Sequence, residues 1–126
     1  MPNLALSLLP DTLAICRLTP VAPMPDWALA GSFFSIARTA DELSIVCPQS
    51  DVPPGIQCDR DWRCLKVEGP LDLSLIGILA SLTAPLARAG IGIFAVSTYD
   101  TDYVLVKEKC LEEAVLVLSQ EGHHVR

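Results

Sequence analysis

Apolar and polar positions fall into two periods in turn along the second half of the chain. From Cys64 to Glu68 they alternate: Leu65 and Val67 on one side, Lys66 and Glu68 on the other, as in a half-buried strand. Gly69-Pro70 ends that run. Leu75, Leu79, Leu82 and Leu86 then recur at spacings of four, three and four, which is one face of a helix. Pro85 removes a backbone N–H within it and predicts a kink. Gly90 closes the helix as a left-handed cap. Residues 91–98 and 103–108 read as strands joined by the polar turn Tyr99-Asp100-Thr101-Asp102. A last helix is predicted over residues 111–120, with Leu111, Ala114, Val115 and Leu118 on its apolar face and Gly122 after it.

The first half is more broken. Apolar runs at residues 4–9 and 13–18 flank Pro10-Asp11-Thr12, which predicts a hairpin or a bent strand. Residues 19–25 hold three prolines and exclude a regular helix. Asp26 can cap a short helix through residues 27–30, with Gly31 to end it. Residues 33–38 and 43–47 read as strands. Residues 48–61, with three prolines and a glycine, read as a loop with at most one helical turn, and mark a boundary between two halves, 1–61 and 62–126.

The halves echo one another. Residues 34–46 lie on residues 94–106 at an offset of sixty without a gap, matching Phe34 to Phe94, Ile36 to Val96, Val46 to Val106 and Glu42 to Asp102. This predicts a duplication of one strand–helix–strand–strand–helix unit, with the first copy degenerate. Short polar connections in that order predict antiparallel sheets with helices packed on one face, an α+β architecture.

Composition narrows the function. The chain has 126 residues, 51% hydrophobic and 19% charged, so it is globular. Its formal charge of −6, with no cluster of Lys or Arg, argues against nucleic acid and against anionic membrane surfaces. The stretch 71–89 contains Asp72, Pro85 and Arg88 and suits a buried helix, not a membrane span. No basic region precedes the run at 4–9, which stops at Pro10, so a cytoplasmic location is expected. The five cysteines, Cys16, Cys47, Cys58, Cys64 and Cys110, form no CxxC pair and read as buried reduced thiols. A zinc site from Cys58, Cys64 and His123 or His124 matches no compact ligand spacing. His123 and His124 lie in the last residues, where order is often lost. Phosphate loops, nucleophile elbows and HExxH motifs are absent, and no cofactor is implied.

The segment GILASLTAPLARAGIGI, residues 77–93, resembles the helix-then-strand core of ACT domains, small regulatory modules that bind amino acids. The following STYDTDYVLV, residues 97–106, resembles the amino-acid-sensing branch that includes the Castor-type arginine sensors. The resemblance covers residues 65–122 and implies two ferredoxin-like units in tandem. It also implies an effector site where the first strand leads into the first helix, through Leu73, Ser74, Gly77 and Ile78. A helix N-terminus presents unpaired N–H groups and positive potential to a carboxylate, and glycine permits close approach. The usual Asp-Arg-Pro-Gly lead-in is replaced by Glu68-Gly69-Pro70-Leu71-Asp72.

Ser97, Thr98 and Asp102 are the second group. Asp102 matches an aspartate that helps hold the ligand in the arginine sensors, while their acidic residue in the helix corresponds to Ala84. Ordinary turn chemistry explains the same residue types equally well. The resemblance implies a non-enzymatic regulatory protein that binds a small amino acid or related metabolite at a subunit or inter-half interface. It further implies a homodimer joined through the second half, with output through an unknown protein partner. The alternative is an interaction or assembly module without a ligand; a small enzyme is the third.

Overall fold

The computed structural model describes residues 3–126. Eight strands and two helices follow in order: β1 (Ala5–Leu8), β2 (Leu13–Leu18), β3 (Ser35–Arg38), β4 (Leu43–Pro48), β5 (Cys58–Val67), α1 (Ile78–Arg88), β6 (Ile93–Ser97), β7 (Asp102–Lys107), α2 (Leu111–Gln120) and β8 (His124–Val125). They form two compact units, residues 11–62 and residues 3–10 with 63–126. The boundary therefore runs through β5, and residues 3–10 belong with the second half of the chain, not with the first as residues 1–61 would have it. Among the described residues no helix is long and apolar enough to cross a membrane.

In the larger unit β1 pairs antiparallel with β5 (Leu6 opposite Val67, Leu8 opposite Leu65) and parallel with β8 (Ala5 opposite His124). β7 pairs with β5 and with β6, closing the order β8-β1-β5-β7-β6. The sheet is thus mixed, not purely antiparallel, because β8 joins β1 in parallel. Of the hairpin or bent strand expected over residues 4–18, the hairpin does not form; β1 and β2 each pair antiparallel with β5 (Leu8 opposite Leu65, Leu13 opposite Trp62), as a bent strand does. Alternate residues Leu65 and Val67, and Val104 and Val106, share one core with Leu82, Leu86, Ala114 and Leu118 from the two helices. Period two on the strands and three to four on the helices thus cover one face of this sheet, the α+β plan expected.

Helix α1 begins at Ile78, later than the leucine spacing predicts. Gly77 stands at φ 83, and a left-handed residue cannot continue a right-handed helix. Leu73 and Ile76, upstream of it, are 67% and 94% exposed. Downstream, α1 runs through Pro85 to Arg88. Proline at 85 cannot donate to the carbonyl of Ser81, four residues earlier. A side chain does so instead: His123 Nε2 lies 3.2 Å from the Ser81 oxygen. His123 Nδ1 accepts from the Leu4 N–H at 3.1 Å. The imidazole is therefore neutral, with its proton on Nε2. It is also buried, so the C-terminal residues are tied in and not loose as expected.

In the smaller unit β4 lies between β2 and β3 (Leu18 opposite Leu43, Arg38 opposite Leu43), and β2 also pairs with the start of β5 (Cys16 opposite Cys58). Its core is Ala14, Cys16, Ala28, Leu43, Ile45, Cys47 and Val52. Single 3-10 turns, Asp26–Leu29 and Gln49–Asp51, stand where the other unit has helices. Pro20, Pro23 and Pro25 before the first, and Pro53 and Pro54 after the second, block longer helices. Asp26 lies within its turn, and no side chain caps it.

The two hairpins correspond at an offset of fifty-nine: Arg38 opposite Leu43 matches Ser97 opposite Asp102. Each closes on a threonine. Thr39 N–H donates to Glu42 O at 2.9 Å, and Thr98 N–H donates to Thr101 O at 2.9 Å. The sequence offset of sixty is one residue out, and it pairs Ile45 with Leu105 in place of Val104. A slip of one exchanges the two faces of a strand, and the core members Ile45 and Cys47 in fact correspond to Val104 and Val106.

Candidate functional site

An open cavity of about 340 Å³ lies within the larger unit, between the segment leading into α1 and the end of the β6–β7 hairpin. Leu71 N–H donates to Asp100 O at 2.6 Å and ties the two walls together. Thr101 Oγ1 donates to Val67 O at 2.6 Å and anchors the hairpin to the end of β5. Thr101 is buried, so its hydroxyl is committed to that bond.

One wall ends in the first turn of α1. No side chain caps this helix, and its first intrahelical bond is donated by Ser81 N–H to Gly77 O at 2.9 Å. The N–H groups of Ile78, Leu79 and Ala80 therefore have no intrahelical acceptor, and all three residues line the cavity. A Cβ on Gly77 would meet nothing within 4 Å, so the glycine serves the backbone turn and not close packing.

The other wall is acidic. Asp100 and Asp102 line it, and Ser97 Oγ donates to Asp102 Oδ1 at 2.6 Å. Asp72 faces the same space from the first wall. Its Oδ1 accepts from Ser74 N–H at 2.9 Å and from Ser74 Oγ at 2.8 Å. These two bonds hold the Asp72 carboxyl below its ordinary range, the backbone donor contributing more. Positive potential from three backbone N–H groups thus faces carboxylates across one opening, the pattern that suits a small zwitterion.

Of the residues singled out in the sequence, Leu73, Gly77, Ile78, Ser97, Thr98 and Asp102 all line this cavity. Ser74 does not: it is turned onto Asp72 and borders a neighbouring depression with Leu73 and Tyr99. Asp72, Asp100 and Tyr99 were not singled out. The Asp-Leu-Ser spacing at 72–74, a local side-chain-to-backbone turn, is the signal that could have found Asp72.

No cysteine lines the cavity. Cys64 is buried, and burial pushes its thiol up to about 12. Among the described residues no group of three or more His, Cys, Asp or Glu could hold a metal ion, which removes the zinc arrangement of Cys58, Cys64 and His123 or His124.

The fold and the cavity define an α+β module of ferredoxin-like plan with an open cleft at the start of its first helix. A family model described as the ACT domain matches residues 57–120, and a second model, of an N-terminal domain, matches residues 11–55. The chain belongs to the ACT domain family. It is 38% identical over 100 residues to the Homo sapiens cytosolic arginine sensor for mTORC1 subunit 1, covering 71% of this chain and 30% of that protein. The chain thus spans less than a third of the length of that relative. A crystal structure of an Agrobacterium tumefaciens protein matches with a TM-score of 0.95 at 40% identity, over 100% of this chain and 94% of that one. The fold also matches aspartokinase alpha and beta subunits, with a TM-score of 0.62 at 19% identity, over 93% of this chain and 96% of that one.

Proposed function

We propose that this chain is a non-enzymatic regulatory module that binds a small amino acid or a related metabolite in the cavity of its larger unit. The supporting observation is the polarity of that cavity. The ligand carboxylate meets the N–H groups of Ile78, Leu79 and Ala80, and the ligand ammonium lies near Asp102. Ser97 and Thr98 supply hydroxyls beside it, while Leu73 and Gly77 border the entrance. Family membership and the arginine-sensing relative support the ligand class. Ala84 stands where the sensors carry a second acidic residue, which disfavours a cationic side chain. The arginine-sensing relative is cytosolic by name, and we assign this chain to the cytoplasm.

The cavity is open, and Leu73, Leu75, Ile76 and Tyr99 around it are exposed. A second copy of the chain would cover that apolar rim and close the ligand in, so the working form is a homodimer through the second half. The same rim favours the second reading, an assembly module that reaches its protein partner without any ligand.

A thermal-shift screen against the twenty amino acids separates the two, since a ligand bound only by the folded state raises the midpoint. Calorimetric titration of Asp102→Ala with the amino acid that gives a shift then tests the site. Loss of a charge-assisted hydrogen bond costs about 1.5–3 kcal/mol, or about tenfold to a hundredfold in Kd. The control is a turn carboxylate outside the cavity, since Asp100 lines it as Asp102 does. Asp41, in the equivalent turn of the smaller unit, removes the same charge without touching the cavity. Equal affinity in Asp102→Ala and Asp41→Ala refutes the placement.

A further inference from the structure

Three of the five cysteines converge in the smaller unit, on the core face of its sheet. Cys16 of β2 lies directly opposite Cys58 of β5. Cys47 of β4 lies opposite Ala14, one diagonal step from Cys16 on the same face. Neither the proposed cavity nor any metal site uses them.

The register decides which pair can join. Arg17 N–H donates to Gln57 O at 3.0 Å, so Arg17 and Gln57 form a hydrogen-bonded pair in the β2–β5 ladder. The next pair along an antiparallel ladder is the non-hydrogen-bonded kind. Cys16 and Cys58 occupy it, with Cα atoms at roughly 4.5 Å by that geometry. Disulfides bridge Cα separations of about 4.4–6.8 Å. Diagonal pairs stand farther apart, at about 7–8 Å. Accessibility points to the same pair. Cys58 is half-buried, whereas Cys16 and Cys47 are fully enclosed. An oxidant from solvent therefore reaches Cys58 first.

We propose that Cys16 and Cys58 are a redox pair that closes reversibly into a cross-strand disulfide under a peroxide. The Cys58 thiolate attacks the peroxide O–O bond, an S–O bond forms, and the departing hydroxide takes a proton to leave as water. The Cys16 sulfur then attacks the Cys58 sulfenic acid. The S–S bond forms as the S–O bond breaks, and the second water leaves with the Cys16 proton. Two thiols are oxidised and one peroxide is reduced. A thiol reductant returns both cysteines. The neighbouring Cys47 thiol, and then burial, raise the Cys16 pKa, so Cys16 is not the thiol that attacks the peroxide. The product pins β2 to β5, the two strands that bring the ends of the smaller unit together.

Hydrogen peroxide treatment of the native chain, followed by alkylation under denaturing conditions and mass spectrometry, tests this. The expected product is a monomer lighter by two hydrogen atoms, with three alkylated cysteines in place of five. Cleavage before aspartates separates Cys47 from Cys58 at Asp51, and the link must join the Cys16 and Cys58 peptides. Cys58→Ser abolishes the link and Cys47→Ser keeps it. Should Cys58→Ser fold poorly, alkylating Cys58 in the native wild-type chain replaces it. The oxidised form also unfolds at a higher temperature, and dithiothreitol reverses the shift. A Cys16–Cys47 link, a link between chains, oxygen gained at Cys58 without a link, or five unmodified thiols each overturns the proposal.

Discussion

His123 occupies a position where one side chain repairs a defect that another creates. Proline at 85 leaves the Ser81 carbonyl without its helical donor, and His123 Nε2 supplies one at 3.2 Å while Nδ1 accepts from Leu4 N–H at 3.1 Å. His123→Ala strands both groups in a buried site. An unsatisfied buried polar group costs about 1–3 kcal/mol, so the loss should be about 2–6 kcal/mol before any cavity cost. Pro85→Ala restores the N–H that Ser81 lacks. In the wild-type background it should change stability little, since the carbonyl already has a donor and the proline contributes only about 0.4–1 kcal/mol through the unfolded chain. In the His123→Ala background it should recover about 1–3 kcal/mol, leaving only Leu4 unpaired. The double-mutant cycle therefore predicts a coupling between two residues thirty-eight positions apart in sequence. Urea unfolding followed by helical circular dichroism is the suitable assay, because both helices lie in the larger unit. If Pro85→Ala has the same effect in both backgrounds, His123 does not satisfy Ser81 and the reasoning fails.

Further outcomes are expected. Gly122 stands at φ 92, and an added Cβ would lie 2.8 Å from Asn3 Oδ1. Gly122→Ala should therefore cost about 1–2 kcal/mol from the backbone alone, read as a lowered urea midpoint. Arg88→Ala breaks an exposed ion pair with Glu121 at 3.1 Å and should cost well under about 1 kcal/mol in the same assay. The Asp72 carboxyl should titrate below its ordinary value of 3.8 in a carbon-detected NMR titration, and Ser74→Ala should return it toward that value. Its folded pKa is the depressed one, so the Asp72 turn contributes fully above pH 3.8 and weakens as pH falls through the lower folded value.

Much of the larger unit could be read from its periodicity. The strand at Leu65 and Val67 and the helix α2 lie where alternation and helical spacing put them, because both bury one regular face. The start of α1 could not be read the same way. Leu75 continues the helical spacing, but Gly77 takes a left-handed conformation that spacing does not report. The hairpin repeat was visible yet displaced by one residue, since Phe34 and Phe94 align well while the turn threonines set the true register. The place of residues 3–10 depends on pairing with strands far along the chain, which no local pattern encodes. For the cavity, family resemblance supplied the glycine and the hairpin residues. The pairing of Asp72 with Ser74 was legible only as local turn chemistry, and the approach of Asp100 to Leu71 is a tertiary contact without a local signature.

The position of β1 between β5 and β8 has a consequence for synthesis. Its partners at residues 65–67 emerge from the ribosome long after it does, and those at 124–125 emerge later still. The His123 contact with Leu4 spans 119 residues. The strands of residues 11–62 need only one another, so that unit can close while the rest is still being made. The larger unit cannot finish until residues 124–125 are free. Until β5 has emerged, Leu6, fully buried in the finished fold, stays exposed on an unpaired strand. Folding in order of synthesis thus starts with residues 11–62, and β1 keeps an open edge until residues 124–125 have been made.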